Sequence, residues 1–294
     1  MCSQEEQTLE ERFLSNPNIT YLEKNGVEYI QFNNLNKYSD MLVHCFTTRR
    51  GGISEGEYKS LNMAFNKKDK RENVEENYRR IAGVLGIDTE NMVLSNQIHD
   101  NKIRVVAADD RGKGIYKKSD IIGFDGLMTN NTEVALVTFY ADCVPVFLFD
   151  PVKRVISLVH SGWRSTLKEI SKEAVKKMRD EFDCHPKDIE AAVGPSIGQC
   201  CFEVGEEVYE EFINTFKWCK VYCKKVKEKW FIDLGSIIKT SLKSEGLEDN
   251  KIIIADICTK CNNDVFFSHR GDNGKTGTLT AIMQLKNILK VAEL

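Results

Sequence analysis

Apolar side chains recur along this chain with two periods, which predict helices in some segments and strands in others. Between residues 71 and 85 they recur every three to four positions, and Gly86 follows, so a helix is predicted to end there. The same period predicts further helices at 205–216, at 234–242, after Gly162 with Thr166 and Glu169 as a capping box, and near the end of the chain with Leu279, Ile282, Leu285 and Leu289.

Short runs of β-branched and aromatic residues predict strands between these helices. Several runs are apolar at nearly every position, which is typical of a sheet covered on both faces. The predicted strands are residues 41–48, 92–97, 103–107, 126–129, 134–140, 144–149, 155–160, 189–193 and 252–257, with an edge strand near 29–32 and a hairpin from 218–222 and 230–232.

Strands and helices are interspersed without an internal repeat or a linker rich in proline and serine. The predicted fold class is therefore α/β (mixed α+β), with mixed sheets flanked by helices. We expect a single domain over residues 31–294, preceded by a polar, loosely packed N-terminal lead-in over residues 1–30.

Composition and charge narrow the class of protein. Apolar residues make up 41% of the 294 residues and charged residues 29%, which is ordinary globular usage. The formal net charge is −3 and the pI about 6.1, so neither nucleic acid nor a membrane surface is an expected partner. No apolar run predicts a transmembrane helix, and the acidic start does not resemble a signal peptide. We expect ten reduced cysteines in a cytoplasmic protein.

Three residues that can bind a transition metal lie where predicted strands meet loops. His99 follows one strand, Cys143 lies between two strands, and His160 ends another. Thiolate and imidazole groups suit Zn²⁺, and three protein ligands leave a fourth position for water or substrate. The ligands are 44 and 17 residues apart, which matches no compact zinc-finger pattern. The sequence predicts a zinc site only if the fold brings them together.

Other interpretations of these residues stay open at this point. Taken singly, a cysteine between apolar strands is more often part of the core, and a histidine at a strand end is often only hydrogen-bonded. A Cys143 thiolate with His160 as its base is instead the arrangement of a cysteine amidase or hydrolase. Asp142 has three open roles: to accept a hydrogen bond from a ligand histidine, to act in proton transfer, or to cap the turn.

Arginines beside glycine turns are candidates to hold an anion. Arg164 follows Gly162 and precedes a predicted helix, whose free N–H groups would add to the site. Arg49 and Arg50 precede two glycines and offer a second such place. Surface solvation is the commoner role of an arginine.

Two further cysteine pairs stand out. Cys258 and Cys261 have the spacing of a redox motif but lack the thioredoxin-like context, and no second pair completes a zinc ribbon. Cys200 and Cys201 are adjacent and would form only a strained disulfide. We interpret both pairs as structural or pocket-lining.

Eight short motifs occur in order between about residues 40 and 290: Thr47-Thr48-Arg49-Arg50-Gly51-Gly52, Ser60-Leu61-Asn62, Asn96-Gln97-Ile98-His99, Ala141-Asp142-Cys143-Val144-Pro145, His160-Ser161-Gly162-Trp163-Arg164, Gly194-Pro195-Ser196-Ile197, Cys200-Cys201-Phe202-Glu203-Val204 and Phe267-Ser268-His269-Arg270. Together they resemble the YfiH-like family, also called the laccase-domain or polyphenol oxidase family. One departure is His269, where relatives often carry tyrosine, so the resemblance implies no role for that position.

The resemblance implies a single α/β domain similar in architecture to cytotoxic-necrotizing-factor deamidase toxins. It implies one Zn²⁺ bound by residues that match His99, Cys143 and His160. The implied activities are phosphorolysis of adenosine, inosine, guanosine and methylthioadenosine, and deamination of adenosine, so purine nucleosides and phosphate are the expected partners. Bacterial members are also associated with peptidoglycan editing. Copper is not expected, because five isolated histidines are too few for a multicopper oxidase.

The leading prediction is a zinc-dependent purine nucleoside enzyme that is a monomer or a weak dimer. The alternatives are a cysteine amidase that edits peptidoglycan precursors and a non-catalytic zinc-binding interaction protein. The predicted catalytic residues are His99, Cys143, His160 and Asp142, and those predicted to contact substrate or phosphate are Arg50, Asn62, Gln97 and Arg164.

Overall fold

Strands and helices alternate along residues 13–287, the part of the chain that this computed structural model describes. The strands are β1 (Ile19–Lys24), β2 (Val27–Phe32), β3 (Leu42–Thr47), β4 (Met92–Leu94), β5 (Ile103–Val105), β6 (Gly126–Thr129), β7 (Ala135–Tyr140), β8 (Val144–Asp150), β9 (Val155–Ser161), β10 (Glu190–Val193), β11 (Glu203–Val204), β12 (Cys223–Val226), β13 (Lys229–Ile232), β14 (Ile252–Ile254) and β15 (Leu279–Leu285). The helices are α1 (Asn33–Asn36), α2 (Arg71–Leu85), α3 (Trp163–Leu167), α4 (Ile170–Phe182), α5 (Glu206–Thr215) and α6 (Leu234–Ser244).

Two six-stranded mixed sheets form the centre of the fold. The first has the order β1-β2-β3-β15-β7-β4 and the second the order β14-β10-β8-β9-β6-β5. Most neighbouring strands are antiparallel, whereas β7 with β4, β10 with β14, and β6 with β5 are parallel. Strand β7 of the first sheet leads directly into β8 of the second, so the chain crosses between the sheets at residues 141–143.

The two sheets pack face to face, and helices cover their outer faces. Apolar side chains of both sheets form one cluster between them, in which the rings of Phe32 and Phe147 lie 4.7 Å apart. Helices α4 and α6 cover the second sheet, and α2 covers the first through its apolar stripe. The predicted mixed α/β fold is therefore confirmed. Among the described residues, no helix has the length and apolar character needed to span a bilayer.

Local sequence patterns predicted most of these elements. The predicted helix at residues 71–85 is confirmed, and it ends at Gly86, whose φ of 67° is a left-handed conformation that glycine adopts without strain. The strands of the second sheet lie within one to three residues of their predicted ends. The hairpin predicted from residues 218–222 and 230–232 has a different first strand. Residues 217–222 form a 3₁₀ helix, and the hairpin consists of β12 and β13 in the small sheet β11-β13-β12.

The predicted final helix is wrong. Residues Leu279–Leu285 form β15, a central strand that pairs with both β3 and β7, and every residue of it is buried. Burial on both faces places apolar residues at most positions, so the spacing of Leu279, Ile282 and Leu285 imitates a helical stripe. Leu289 lies outside the described residues.

Two smaller expectations also differ from the structure. Thr166 lies inside α3 and donates its hydroxyl to the Gly162 carbonyl, so it does not form a capping box with Glu169. The edge strand predicted near residues 29–32 is β2, which is internal because β1 pairs with it on its outer side.

Part of the predicted N-terminal lead-in packs onto the domain. Phe13, which precedes β1, is buried against Phe266. The domain boundary at residue 31 stays a prediction.

His44 is a buried histidine of β3 that lies between the two sheets. Its Nε2 accepts the backbone N–H of Phe32 at 2.8 Å, which requires the unprotonated nitrogen. Burial lowers the pKa of His44 to about 3. In the unfolded chain the pKa of a histidine is about 6.5, so the unfolded state takes up a proton that the folded state does not. The free energy of unfolding therefore falls as the pH drops from 6.5 toward 3.

We expect the variant His44→Gln to be less sensitive to acid than the wild-type protein. Below pH 6.5, the protonation of His44 in the unfolded chain should lower the free energy of unfolding of the wild type by about 1.4 kcal/mol per pH unit. The drop in this free energy from pH 7 to pH 5 should therefore be about 2 kcal/mol larger for the wild type than for the variant. Urea titrations at both pH values measure this difference. The control His185→Gln replaces an exposed histidine and should keep the wild-type response. Equal responses of His44→Gln and wild type would contradict the prediction.

Candidate active site

The three predicted metal ligands come together where the two sheets meet. His99 lies in the loop between β4 and β5, Cys143 lies in the crossing from β7 to β8, and His160 lies in β9. One ligand atom from each residue lies within 4.8 Å of the others. The Nε2 atom of His99 is 3.8 Å from the Sγ atom of Cys143, and the two imidazole rings are 4.9 Å apart. The structure thus forms a compact group of two imidazoles and one thiol.

Asp125, which immediately precedes β6, orients both histidines. Its side chain is fully buried and accepts the backbone N–H groups of Ile98, His99 and Asp100 at 2.9–3.0 Å. The Nδ1 atom of His160 lies 2.8 Å from the same carboxylate. This contact holds the proton on Nδ1 and leaves Nε2 of His160 as the nitrogen available to a metal.

The buried charges of this group stabilise one another. Burial would raise the pKa of the Cys143 thiol, but the charge of His160 and hydrogen bonds from both histidines outweigh it and lower the pKa to about 6. Burial would lower the pKa of His160, but the charge of Cys143 and the Asp125 hydrogen bond raise that pKa to about 9. The site therefore favours a thiolate, which is the form of cysteine that binds metals or acts as a nucleophile.

The backbone around His99, Cys143 and His160 is tightly packed and has an unusual conformation. A Cβ atom at Gly162 would lie 2.8 Å from Cδ2 of His99 and 3.1 Å from Sγ of Cys143, so only glycine fits at this position. His99 and Asp142 have φ values of 63° and 87°, a left-handed conformation that is uncommon outside glycine. Such conformations concentrate at functional sites, where the surrounding structure maintains them.

A cavity of about 630 Å³ opens onto the group. Its volume is in the range of small-molecule sites. Aromatic side chains form much of its wall, and the cationic residues Lys67 and Arg270 also line it, as does His269. The aromatic lining residues are Phe65, Phe139, Tyr140, Trp163 and Phe202. The cavity therefore offers flat apolar surfaces together with positive charge.

Two predicted contact residues maintain the cavity wall through backbone hydrogen bonds. Gln97 lines the cavity, and its amide is held by the backbone N–H and carbonyl of Phe139 at 2.7 and 2.9 Å. Asn62 is fully buried, and its Oδ1 accepts the backbone N–H of Thr278, which lines the cavity.

The carboxylate that contacts one of the predicted ligand histidines, His160, is that of Asp125 rather than that of Asp142. The two oxygens of Asp142 accept the hydroxyl of Thr259 at 2.6 Å and the backbone N–H of Arg270 at 2.7 Å. Asp142 lines the cavity and ties the 258–270 segment to it.

The two predicted phosphate-binding arginines do not line this cavity. Arg50 pairs with Glu28 at 3.7 Å and with Asp264 at 3.4 Å. The guanidinium of Arg164 lies 4.1 Å from the centre of the neighbouring Trp163 ring. Their contact with phosphate stays a prediction.

Sequence reasoning did not find Asp125 or Lys67. Asp125 is 26 residues from His99 and 35 residues from His160, so no local spacing links them. The available signal is a single carboxylate at the start of a buried strand in Gly123-Phe124-Asp125-Gly126. That pattern also describes many capping aspartates. Lys67 lies in a polar loop among other lysines, which gives no signal of its own.

The chain is similar in sequence to a known family and to several known proteins. A family model described as multi-copper polyphenol oxidoreductase laccase matches residues 43–286. The chain is 33% identical over 253 residues to "Purine nucleoside phosphorylase YlmD" of Bacillus subtilis, which covers 85% of this chain and 91% of the relative. It is 32% identical over 251 residues to "Purine nucleoside phosphorylase" of Bacteroides thetaiotaomicron, with 84% and 93% covered.

The solved structure of YlmD from Geobacillus stearothermophilus has the same fold. Its TM-score with this chain is 0.86 at 31% identity, and the match covers 92% of this chain and 100% of that one. The family match covers the whole second sheet, the strands β3, β15, β7 and β4 of the first sheet, and the residues His99, Cys143 and His160. The chain therefore belongs to the multi-copper polyphenol oxidoreductase laccase family, as the resemblance of its motifs to the laccase-domain family predicted.

Proposed function

We propose that this chain is an enzyme that cleaves purine nucleosides with phosphate and uses Zn²⁺ held by His99, Cys143 and His160. The observation that carries the proposal is the convergence of two imidazoles and a thiol at a cavity with aromatic and basic walls. The names of the relatives from Bacillus subtilis and Bacteroides thetaiotaomicron support the same reaction class.

The donor set fits zinc better than copper. Two imidazoles and one thiolate form a three-ligand set of the kind found at catalytic zinc, which keeps one position open. Asp125 bonded to His160 is the carboxylate–histidine arrangement that orients zinc ligands. A blue-copper site would add a weak axial ligand such as methionine, and methionine is absent from the cavity lining among the described residues. When bound, zinc supplies a Lewis-acidic centre that stabilises negative charge.

Phosphorolysis breaks the bond between the ribose C1′ and the purine nitrogen and forms a bond from C1′ to a phosphate oxygen. The chain's contribution is chiefly to bind and orient both substrates. The aromatic walls provide surfaces on which a purine ring can stack. Arg270 and Lys67 provide positive charge for phosphate at the same cavity. We also propose that adenosine is deaminated at this site.

The arginine that contacts phosphate can be identified by substitution. We expect Arg270→Gln to raise the KM for phosphate about 10-fold to 100-fold with a smaller change in kcat, because a charge-assisted hydrogen bond contributes about 1.5–3 kcal/mol. Initial rates at varied phosphate and saturating nucleoside measure this effect. If Arg164 binds phosphate instead, as the sequence motif predicts, Arg164→Gln will raise this KM and Arg270→Gln will leave it unchanged.

A nucleoside panel tests the proposed reaction directly. Purified protein is incubated with adenosine, inosine, guanosine and methylthioadenosine, with and without phosphate, and the products are separated by chromatography. We expect release of the free base only when phosphate is present. Conversion of adenosine to inosine without phosphate reports deamination. No turnover of any nucleoside by the metal-loaded protein would contradict the proposal and favour a non-catalytic zinc-binding role.

The proximity of the Cys143 thiol to the His160 imidazole makes a cysteine amidase the second candidate function. A thiolate beside an imidazolium is the activated pair of cysteine hydrolases, and the opposite charges and hydrogen bonds of these groups favour that pair against the effect of burial. Removal of metal separates the two functions. A cysteine amidase should keep its activity with a chelator present and lose it to thiol alkylation, whereas a zinc-dependent phosphorylase should stop when chelated and recover with Zn²⁺.

A further inference from the structure

A second cluster of cysteines lies in the loops beside the cavity. The Sγ atoms of Cys200, Cys201, Cys258 and Cys261 all lie within 4.8 Å of one another. Cys200 and Cys201 come from the turn before β11, and the other two come from the loop after β14. The cluster joins both pairs of cysteines that sequence analysis interpreted as structural or pocket-lining. It shares no residue with the group of His99, Cys143 and His160.

The backbone brings these loops into close contact. Ser196 donates its N–H to the carbonyl of Ile257 and accepts the N–H of Thr259, which aligns the two loops on either side of Cys258. At Gly198 a Cβ atom would lie 3.1 Å from Cβ of Cys258 and 3.4 Å from Sγ of Cys200. A side chain at position 198 would therefore crowd Cys200 and Cys258, and the glycine leaves space for these two cysteines.

The spacing of the sulfur atoms matches a tetrahedral zinc site. The Sγ atom of Cys261 lies 3.5 Å from that of Cys200 and 3.4 Å from that of Cys201. Four thiolates about 2.3 Å from one zinc ion would lie about 3.8 Å from each other. Shifts of a few tenths of an ångström in the cysteine side chains would bring these two distances to that value.

The oxidation state of the cysteines decides which of them can bind a metal. Cys200, Cys201 and Cys258 are free thiols, whereas Cys261 is disulfide-bonded, so the expectation that all ten cysteines are reduced is wrong. A dithiol reductant would convert that disulfide to two thiols with two electrons and two protons, and would itself become a disulfide. Metal binding would then release one proton from each coordinating thiol to solvent.

We propose that Cys200, Cys201, Cys258 and Cys261 together form a second, all-thiolate zinc site once the disulfide of Cys261 is reduced, and that the site needs all four thiolates. A site with four protein ligands has no open position, so its role is structural. The loops that it joins carry Ile197, Phe202 and Arg270, all of which line the cavity.

Metal stoichiometry under reducing conditions tests this proposal without an activity assay. Each protein is reduced with a dithiol, loaded with Zn²⁺, freed of excess metal and analysed by elemental mass spectrometry. We expect two zinc ions per chain in the wild type, one in Cys143→Ala, one in Cys200→Ser and none in the double variant. Cys200 is exposed, so its substitution should not prevent folding. Cys223→Ser replaces a half-buried cysteine outside both groups and should keep both ions.

The Cys143→Ala variant isolates the second site for spectroscopy. Loaded with Co²⁺, it should show the intense sulfur-to-cobalt charge-transfer absorption of thiolate ligands, and this absorption should disappear in the double variant with Cys200→Ser. Without reductant the absorption should also be absent, because only three of the four thiolates are available. A Cys143→Ala protein that binds neither Zn²⁺ nor Co²⁺ after reduction would overturn the proposal, as would a second ion that Cys200→Ser retains.

Discussion

Replacing Cys143 with alanine is expected to remove the metal at the His99, Cys143 and His160 group and to abolish phosphorolysis of nucleosides. The variant loses the thiolate that lies 3.8 Å from His99 and leaves two imidazoles as the only ligands. A metal centre contributes several kcal/mol of charge stabilisation, and each 1.36 kcal/mol is tenfold in rate. We therefore expect kcat/KM to fall about 10³-fold or more, measured as phosphate-dependent release of hypoxanthine from inosine.

The matched control for this substitution is Cys223→Ser. It also removes one thiol, but in the small sheet formed by β11, β12 and β13, and it should keep the wild-type rate. Circular dichroism and thermal unfolding should show that Cys143→Ala is folded. If this folded variant still releases hypoxanthine at the wild-type rate, the assignment of the active site is wrong.

Replacing Asp125 with asparagine is expected to weaken metal binding without removing any ligand. The carboxylate accepts three backbone N–H groups and the Nδ1 proton of His160, and an amide can replace only part of that set. Loss of such a supporting carboxylate lowers metal affinity by about 10-fold to 100-fold. We expect a weaker zinc affinity of that size in competition with a chromophoric chelator. We expect the activity of this variant at limiting zinc to fall in proportion to the lost affinity, and to return when the zinc concentration is high.

Asp150→Asn is the control for loss of a buried carboxylate. Asp150 is also fully buried and accepts the backbone N–H groups of Val152 and Lys153, but it lies at the other end of β8 from Cys143. This variant should lower the free energy of unfolding and leave zinc affinity unchanged. If Asp125→Asn lowers stability but binds zinc as tightly as the wild type, Asp125 has only a structural role.

Much of the secondary structure could be predicted from the sequence, because side-chain periodicity is a local property. Helix α2 has one buried face, so its apolar residues recur at helical spacing and its limits were predicted correctly. Strand β15 is buried on both faces, so it has no contrast between a polar and an apolar face, and the spacing of its apolar residues wrongly predicts a helix. Strands β8 and β9 are also buried along their whole length, but their β-branched and aromatic residues predict strands at the correct positions.

The candidate site could be predicted in part. The chemistry of histidine and cysteine, their positions at strand ends and the resemblance of eight motifs predicted His99, Cys143 and His160, and the structure brings these residues together. Their binding of zinc stays a prediction. Arg50 and Arg164 were selected for charge and for nearby glycines, but in the structure they contact Glu28, Asp264 and Trp163 rather than the cavity.

The amino-acid sequence by itself determined the class of fold, the positions of most elements and the kinds of side chain available for chemistry. Only the tertiary structure decided which of them meet. Asp125 reaches both histidines, and Cys200 reaches Cys261, across more than twenty residues of chain in each case. The physical reason is that periodicity reports which face of an element is buried, whereas a site forms where the ends of strands from two packed sheets converge.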